Sequence, residues 1–169
     1  MNEENKKVGR GEEASGTETQ KPVPAFLLSS LNKEGRKTGG LELEDLTGRV
    51  IGCAIAVHRE LGPGFLESIY ESAMRIELRH AGIPFRFQEE MPVMYRGEQA
   101  GLQRFDLLVG DQLVVELKAI KALEDIHFAQ VRSYLKALRL KHGLLFNFAA
   151  IPLTIKRVIF RDSESTALS

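Results

Sequence analysis

One group of charged residues in the sequence has the types and the spacing of a catalytic site. Nine residues separate Asp106 from the run Glu116-Leu117-Lys118, which ends an otherwise apolar segment. Alternate side chains of a β-strand point to the same face, so Glu116 and Lys118 share a face. Charged groups in such a strand are costly to bury unless they are paired or bind a cation.

The carboxylates of Asp106 and Glu116 suit Mg²⁺, a hard cation that takes oxygen ligands. Lys118 could then orient or deprotonate a metal-bound water, and the metal would neutralise charge on a phosphate. The alternative is a surface strand in which Glu116 and Lys118 form a solvated pair. The spacing alone leaves both interpretations open.

Three helices that would position these residues are predicted from apolar residues at helical spacing. The first covers residues 46–61 and must end at the Gly-Pro-Gly turn of residues 62–64. The second follows that turn, and its pattern predicts a buried stripe of Leu66, Ile69, Ala73 and Ile76. The third covers about residues 126–141, with a buried face of Phe128, Val131, Leu135 and Leu138.

Strands are predicted where Val, Leu, Ile and Phe are concentrated. The segments are residues 85–95, 104–109, 113–117, 144–148 and 155–160. The resulting order is helix, helix, three strands, helix, two strands, which is a mixed α/β domain with a central sheet.

The register of the hairpin between residues 104 and 118 decides whether Asp106 and Glu116 can act together. They share a face of the sheet only if they lie opposite each other. That register places Leu108 opposite Val114 and Arg104 opposite Lys118. Residues 110–112 then form a three-residue loop, a common hairpin type.

Composition excludes several classes of protein. The 169 residues fit one domain, and 23 basic against 23 acidic residues exclude a strongly basic protein that coats nucleic acid by charge alone. The single Cys53 excludes an intrachain disulfide and a Cys-rich zinc site. No apolar run is long enough to cross a membrane, and the N-terminus lacks the pattern of a signal peptide, so the expected location is the cytoplasm.

A change in composition near residue 40 divides the chain. Residues 1–40 are polar and predict a flexible N-terminal tail, residues 41–162 predict the folded domain, and residues 163–169 predict a flexible C-terminal end. Deletion of residues 1–40 should therefore leave the melting temperature nearly unchanged, which differential scanning fluorimetry can measure. A large loss would show that the apolar cluster Phe26-Leu27-Leu28 packs on the domain.

Several stretches of the sequence match, in order, the motifs of one known family. They include Gly64-Phe65-Leu66-Glu67-Ser68-Ile69-Tyr70, together with residues 104–109, 114–119, 126–130, 143–148 and 155–158. Through them, residues 47–160 resemble the GxxExxY family, which is placed in the PD-(D/E)XK nuclease superfamily. One difference is Phe105, which stands where the superfamily pattern has Pro.

The resemblance implies a restriction-endonuclease-like core, with a central mixed sheet flanked by helices in the order ααβββαββ. It implies that Asp106, Glu116 and Glu67 bind the metal together with the backbone carbonyl of Leu117. It also implies that Lys118 is the catalytic lysine.

Three further residues are expected to support this site. Gln130 and Tyr134 resemble the Gln-x-x-x-Tyr pair of exonuclease-like members of the superfamily. Tyr70 lies three residues after Glu67 and so shares its helix face. For Tyr70 and Tyr134, the alternative is an aromatic residue at the protein boundary with its hydroxyl in water.

The expected function is hydrolysis of phosphodiester bonds in nucleic acid, with DNA as substrate and Mg²⁺ or Mn²⁺ as cofactor. Two alternatives remain open. One is a binding module for nucleic acid or for a protein partner that keeps the fold without turnover, and the other is a hydrolase of small phosphoesters. The row Arg132, Lys136 and Arg139 on one flank of the third helix either contacts phosphates or is solvated.

Overall fold

The computed structural model describes residues 42–161, so the segments predicted as flexible ends, residues 1–40 and 163–169, lie outside the described residues. Its helices are α1 Leu43–Leu61, α2 Glu67–His80 and α3 Asp125–Leu138. Its strands are β1 Phe85–Phe87, β2 Glu90–Tyr95, β3 Glu98–Arg104, β4 Leu107–Val109, β5 Leu113–Lys118, β6 His142–Asn147 and β7 Thr154–Ile159. Within this range, none of the helices has the length and apolar composition of a membrane-spanning segment.

Five strands form a mixed sheet in the order β1-β4-β5-β6-β7. The pair β5 and β6 is parallel, and the other neighbours are antiparallel. A parallel pair needs a long crossover connection, which α3 supplies here. The predicted fold class, a mixed α/β domain with a central sheet flanked by helices, is therefore confirmed.

The strand count between α2 and α3 differs from the prediction, because a single long hairpin is interrupted by a bend. Phe87 lies opposite Leu107 in the central sheet, and Glu90 lies opposite Arg104 in a separate two-stranded sheet, so the same register continues through both. Gln88 lies between the two paired segments and has a left-handed φ of 46°. The segment predicted as three strands consequently forms five.

The two faces of β5 contribute to different cores. Leu113, Val115 and Leu117 pack with α1 and α2, whereas Val114 packs with α3. Because side chains alternate along a strand, Glu116 points to the α3 side as Val114 does. The charged residues of β5 therefore face α3 at the end of the strand.

Helix α2 buries a different face from the one predicted. Tyr70, Met74 and Leu78 are fully buried, whereas Leu66, Ile69 and Ile76 are exposed. Two apolar rows follow α2 at helical spacing, and spacing does not tell which of them packs against α1 and the sheet. Glu67 and Glu71 lie on the side of the buried row, because each stands three residues before one of its members, Tyr70 and Met74.

Close packing of α3 on the sheet depends on a glycine in β6. A Cβ atom at Gly143 would lie 2.7 Å from Cγ1 of Val131, closer than side chains tolerate. The absence of a side chain there lets α3 approach the sheet. With α3 this close, Tyr134 is 1% exposed and packs in the same core cluster as Val114 of β5 and Leu145 of β6.

Candidate active site

The register of β4 and β5 is the one that the sequence predicted. Leu108 lies opposite Val114, Val109 lies opposite Leu113, and residues 110–112 form the connecting turn. The pairing ends at Leu107 and Val115. The predicted pair of Arg104 and Lys118 does not form, because the bend has turned Arg104 into β3 of the outer hairpin.

Asp106 lies at this bend, between β3 and β4. Its backbone carbonyl accepts a hydrogen bond from Gln88 N at 2.9 Å, and its Oδ2 accepts one from Leu117 N at 2.8 Å. Burial raises the pKa of Asp106 to about 6, although the hydrogen bond from Leu117 opposes that rise. The bend thus turns the Asp106 carboxylate onto β5 beside Glu116.

Glu116 is a buried acid whose two oxygens have different surroundings. Its side chain is 1% exposed, and Oε1 accepts a hydrogen bond from Lys118 Nζ at 2.7 Å. Oε2 is buried and has no hydrogen-bond partner among residues 42–161. Burial raises the pKa of Glu116 to about 8, and the charge of Asp106 adds to the rise. An unpartnered buried carboxylate oxygen is costly unless a proton or a cation satisfies it.

Glu67 reaches the end of β5 from the start of α2. Its Oε2 accepts a hydrogen bond from Ala119 N at 3.2 Å, and its Oε1 lies 3.8 Å from Lys118 Nζ. Burial alone lowers the pKa of Lys118, but the charges of Glu116, Glu67 and Asp106 together raise it above its ordinary value. The structure therefore brings together Glu67, Asp106, Glu116 and Lys118, with the lysine as an ammonium ion.

Gln130 and Tyr134 lie beside this group on α3. The Tyr134 hydroxyl accepts a hydrogen bond from Gln130 Nε2 at 2.6 Å. Burial raises the pKa of Tyr134, and the charges of Glu116 and Asp106 raise it further, which places the hydroxyl within electrostatic reach of both carboxylates. Because Tyr134 is buried, the alternative of a boundary residue with a solvated hydroxyl is wrong for this tyrosine.

Tyr70, in contrast, makes its contacts away from the carboxylates. Its hydroxyl donates to Gly62 O at 2.7 Å and accepts from Phe65 N at 3.2 Å, and its ring stacks on Phe148 with 4.6 Å between centroids. The loop that it binds includes Gly64, whose φ of 112° favours glycine. Tyr70 thus holds the turn that leads into α2 and acts on the site only through the position of Glu67.

A Tyr70→Phe variant should lose stability by about 1 to 2 kcal/mol, because the Gly62 carbonyl and the Phe65 amide lose a buried partner. Urea unfolding followed by circular dichroism measures this difference. Tyr95→Phe is the matched control, because Tyr95 is 65% exposed. Equal stability of the two variants would contradict the role given to Tyr70.

Two residues that the sequence did not single out also shape the site. Asn147 is 2% exposed, and its side chain accepts from Ile120 N at 3.1 Å and donates to Ile120 O at 2.7 Å, which holds the segment after Lys118. Glu71 is 8% exposed and accepts from Gln88 Nε2 at 2.8 Å. The sequence signal for Asn147 was a polar residue within an apolar strand, and the signal for Glu71 was a second acid one helical turn after Glu67.

The remaining candidates lie outside the carboxylate group. His127 Nδ1 accepts a hydrogen bond from Glu124 N at 2.9 Å, so it caps the start of α3. Arg132 and Lys136 are exposed on α3, on the flank opposite Gln130, and the exposed Arg139 follows as the C-terminal cap of this helix.

The donor set suits a hard cation in its chemistry, since it consists of carboxylate oxygens and includes the unpartnered Oε2 of Glu116. In the present arrangement, the ammonium group of Lys118 lies 2.7 Å from Glu116 Oε1 and so is the cation that pairs with this carboxylate. Among residues 42–161, no three His, Cys, Asp or Glu side chains are spaced to hold a metal ion.

Comparison with known proteins identifies the family of this fold. A family model for the PD-(D/E)XK nuclease superfamily matches residues 44–158. A solved structure described as the crystal structure of SSO0001 is similar, with 16% sequence identity and a TM-score of 0.49 over 84% of this chain and 78% of that chain. No curated protein matches the chain. Because the family model covers more than half of the sequence, the chain belongs to the PD-(D/E)XK nuclease superfamily.

Proposed function

We propose that this protein is a nuclease of the GxxExxY type that hydrolyses phosphodiester bonds in DNA with Mg²⁺ or Mn²⁺ as cofactor. The observation that carries the proposal is the unpartnered, buried Oε2 of Glu116 at the strand end where Asp106, Glu67 and Lys118 meet. A structural strand would gain stability by replacing Glu116 with an apolar residue, whereas a cation site requires the carboxylate.

The metal would be held by Asp106, Glu116 and Glu67, with the backbone carbonyl of Leu117 as a further ligand. When bound, it supplies an activated water and neutralises charge that develops on the phosphate. The hydrogen bond from Leu117 N fixes the orientation of the Asp106 carboxylate. The contact with Ala119 N does the same for Glu67.

Lys118 would act as a positive charge beside the reacting phosphate. It is held there by Glu116 at 2.7 Å and by Glu67 at 3.8 Å. Tyr134 and Gln130 close the α3 side of the site through their 2.6 Å hydrogen bond, and this limits the access of water to Glu116.

The proposal is tested by incubating the purified protein with single- and double-stranded DNA and RNA over a range of Mg²⁺ and Mn²⁺ concentrations. We expect cleavage of DNA that requires the metal and stops with EDTA. Binding of nucleic acid without cleavage of any form would support the alternative, a module that keeps the fold without turnover. Cleavage of a small phosphodiester but of no polymer would support the other alternative.

The metal should also raise the melting temperature, because binding to the folded protein alone stabilises it by mass action and relieves repulsion between the carboxylates. Differential scanning fluorimetry with millimolar Mg²⁺ or Mn²⁺ measures the rise. Asp106→Ala should remove most of it, while Glu60→Ala, which changes an exposed acid on α1, should keep it. A melting temperature that neither ion changes would count against the metal site.

A further inference from the structure

The outer hairpin, β2 and β3, leaves the central sheet at Asp106. The same register joins Phe87 to Leu107 inside the sheet and Glu90 to Arg104 outside it, so the hairpin is an extension of the sheet beyond the bend. Its root contacts the site directly, because Gln88 binds both the Asp106 carbonyl and the Glu71 carboxylate. A molecule bound along the hairpin near its root would therefore also lie beside the carboxylates.

One face of the hairpin root is docked on the protein. Met91 is fully buried in the core under α3, and the opposite residue Gln103 exchanges hydrogen bonds with Ser133 of α3 at 3.0 and 3.2 Å. Side chains alternate along β3, so Leu102 and Arg104 point away from this contact. The hairpin thus presents an open face that begins next to Asp106.

Large apolar side chains lie exposed on this hairpin. Leu102 is 58% exposed, Met94 57% and Tyr95 65%. At the tip, the Arg96 guanidinium lies 5.5 Å from the centre of the Tyr95 ring. Single exposed apolar residues are ordinary on a protein surface, but several on one projecting element indicate a contact surface.

Arg104 gives this surface a cation at the end nearest the site. It is exposed and lies two residues before Asp106, and among residues 42–161 no carboxylate is within ion-pair distance of its guanidinium. Its positive charge also opposes the rise in the pKa values of Glu71 on α2 and of Tyr134 on α3. The guanidinium is therefore close to both helices that border the carboxylates.

We propose that the open face of the outer hairpin binds the nucleic-acid strand next to the site, with Arg104 contacting a backbone phosphate and Leu102 contacting an unstacked base. This inference rests on the proposed function, since it names the substrate contacts of the same site. A polyanion that approaches Glu67, Asp106 and Glu116 is repelled by them, and Arg104 supplies a compensating contact.

The chemistry of the hairpin favours short-range contacts over long-range attraction. Its strands and tip also carry Glu90 and Glu98, so the hairpin as a whole is not a basic patch. An exposed apolar side chain such as Leu102 can contact the face of a base of any sequence, and that contact requires a strand whose bases are unpaired or unstacked. The expected substrate is accordingly a single strand or a duplex with an unpaired end.

The test compares Arg104→Gln and Leu102→Ser with two matched controls that change exposed residues elsewhere. Arg79→Gln removes a charge at the end of α2, and Ile159→Ser removes an apolar side chain, 54% exposed, from the edge strand β7. Binding of a labelled single-stranded DNA is measured by fluorescence anisotropy in EDTA over a range of salt concentrations. The kinetics of cleavage in Mg²⁺ are measured separately.

Arg104→Gln should weaken binding about 10-fold at low salt and make the slope of log K against log salt shallower by about 0.7, the value for one phosphate contact with a single strand. Leu102→Ser should weaken binding about 5-fold without changing that slope, because it removes only an apolar contact. In cleavage, both variants should raise KM with little change in kcat, because they remove contacts made equally in the ground state and the transition state. The controls should bind as the wild type does.

Binding constants and slopes that do not change in Arg104→Gln and Leu102→Ser would overturn the inference, as would equal losses in the controls. If the wild type cleaves DNA and the hairpin variants match it, the proposed function stands and only the hairpin role falls. If no form is cleaved but the hairpin variants bind more weakly, the hairpin role stands and the nuclease function falls. Self-association that Leu102→Ser abolishes, with no effect on DNA binding, would assign the surface to a second copy of the chain instead.

Discussion

Glu116→Gln is expected to abolish metal-dependent cleavage while leaving the fold intact. The change keeps the shape of the side chain and removes the charge that would hold the cation, so the loss of rate should be about 10³-fold or more. Lys118→Ala should have an effect of the same kind, because it removes the ammonium that Glu116 and Glu67 hold in place. Initial rates of DNA cleavage under saturating Mg²⁺ measure both losses.

Two controls separate a chemical effect from misfolding. Glu60→Gln changes an exposed acid on α1 and should cleave at the wild-type rate. Far-ultraviolet circular dichroism should give the same spectrum for all variants. Cleavage by pure Glu116→Gln at the wild-type rate would show that the assigned site is wrong.

The same substitution should stabilise the metal-free protein at alkaline pH. The pKa of Glu116 is raised from 4.5 to about 8, so the folded state binds a proton that the unfolded state has lost. The stabilisation from this group is complete below about pH 4.5 and is lost as the pH rises to about 8. Asp106 acts in the same direction at lower pH, with a pKa raised from 3.8 to about 6.

In EDTA, the free energy of unfolding of the wild type should therefore fall between about pH 4.5 and pH 8 more steeply than that of Glu116→Gln. The variant should be the more stable of the two at pH 8 by about 2 kcal/mol, since one unit of pKa shift corresponds to about 1.4 kcal/mol and part of the effect is offset by the lost ion pair with Lys118. Urea unfolding at the two pH values measures this difference. A variant that is less stable than the wild type at pH 8 would show that the ion pair outweighs the burial of Glu116.

These two results together would identify Glu116 as a residue kept for function at a cost in stability. Sites that bind charged ligands commonly hold groups that the folded protein alone would not favour. The addition of Mg²⁺ should then stabilise the wild type and leave Glu116→Gln unchanged, which links the two measurements to one carboxylate.

Much of the site follows from local properties of the chain. The alternation of side chains along β5 determines that Glu116 lies on the face of Val114, and the register that pairs Leu108 with Val114 follows from the three-residue turn. The buried face of α3 also follows from its sequence, because only one row of apolar residues at helical spacing is present there. For the face of Glu116 and for the buried face of α3, a short-range pattern admits a single solution. The turn at residues 110–112 was predicted instead from the condition that Asp106 and Glu116 lie opposite each other.

Tertiary structure decided what the local pattern left open. Helix α2 has two apolar rows, and packing against α1 and β5 selected the row of Tyr70 and Met74. This choice lets the Tyr70 hydroxyl bind the turn at Gly62, and it places Glu71 beside the site. The sequence also left the bend at Gln88 undecided. The hairpin of residues 85–109 keeps one register on both sides of the bend, so the pairing pattern alone does not indicate it. The sequence by itself determined which charged residues share a strand and a face, since these depend on neighbours along the chain. Only the folded protein decided which helix face and which hairpin face meet them, since these depend on contacts between residues far apart in sequence.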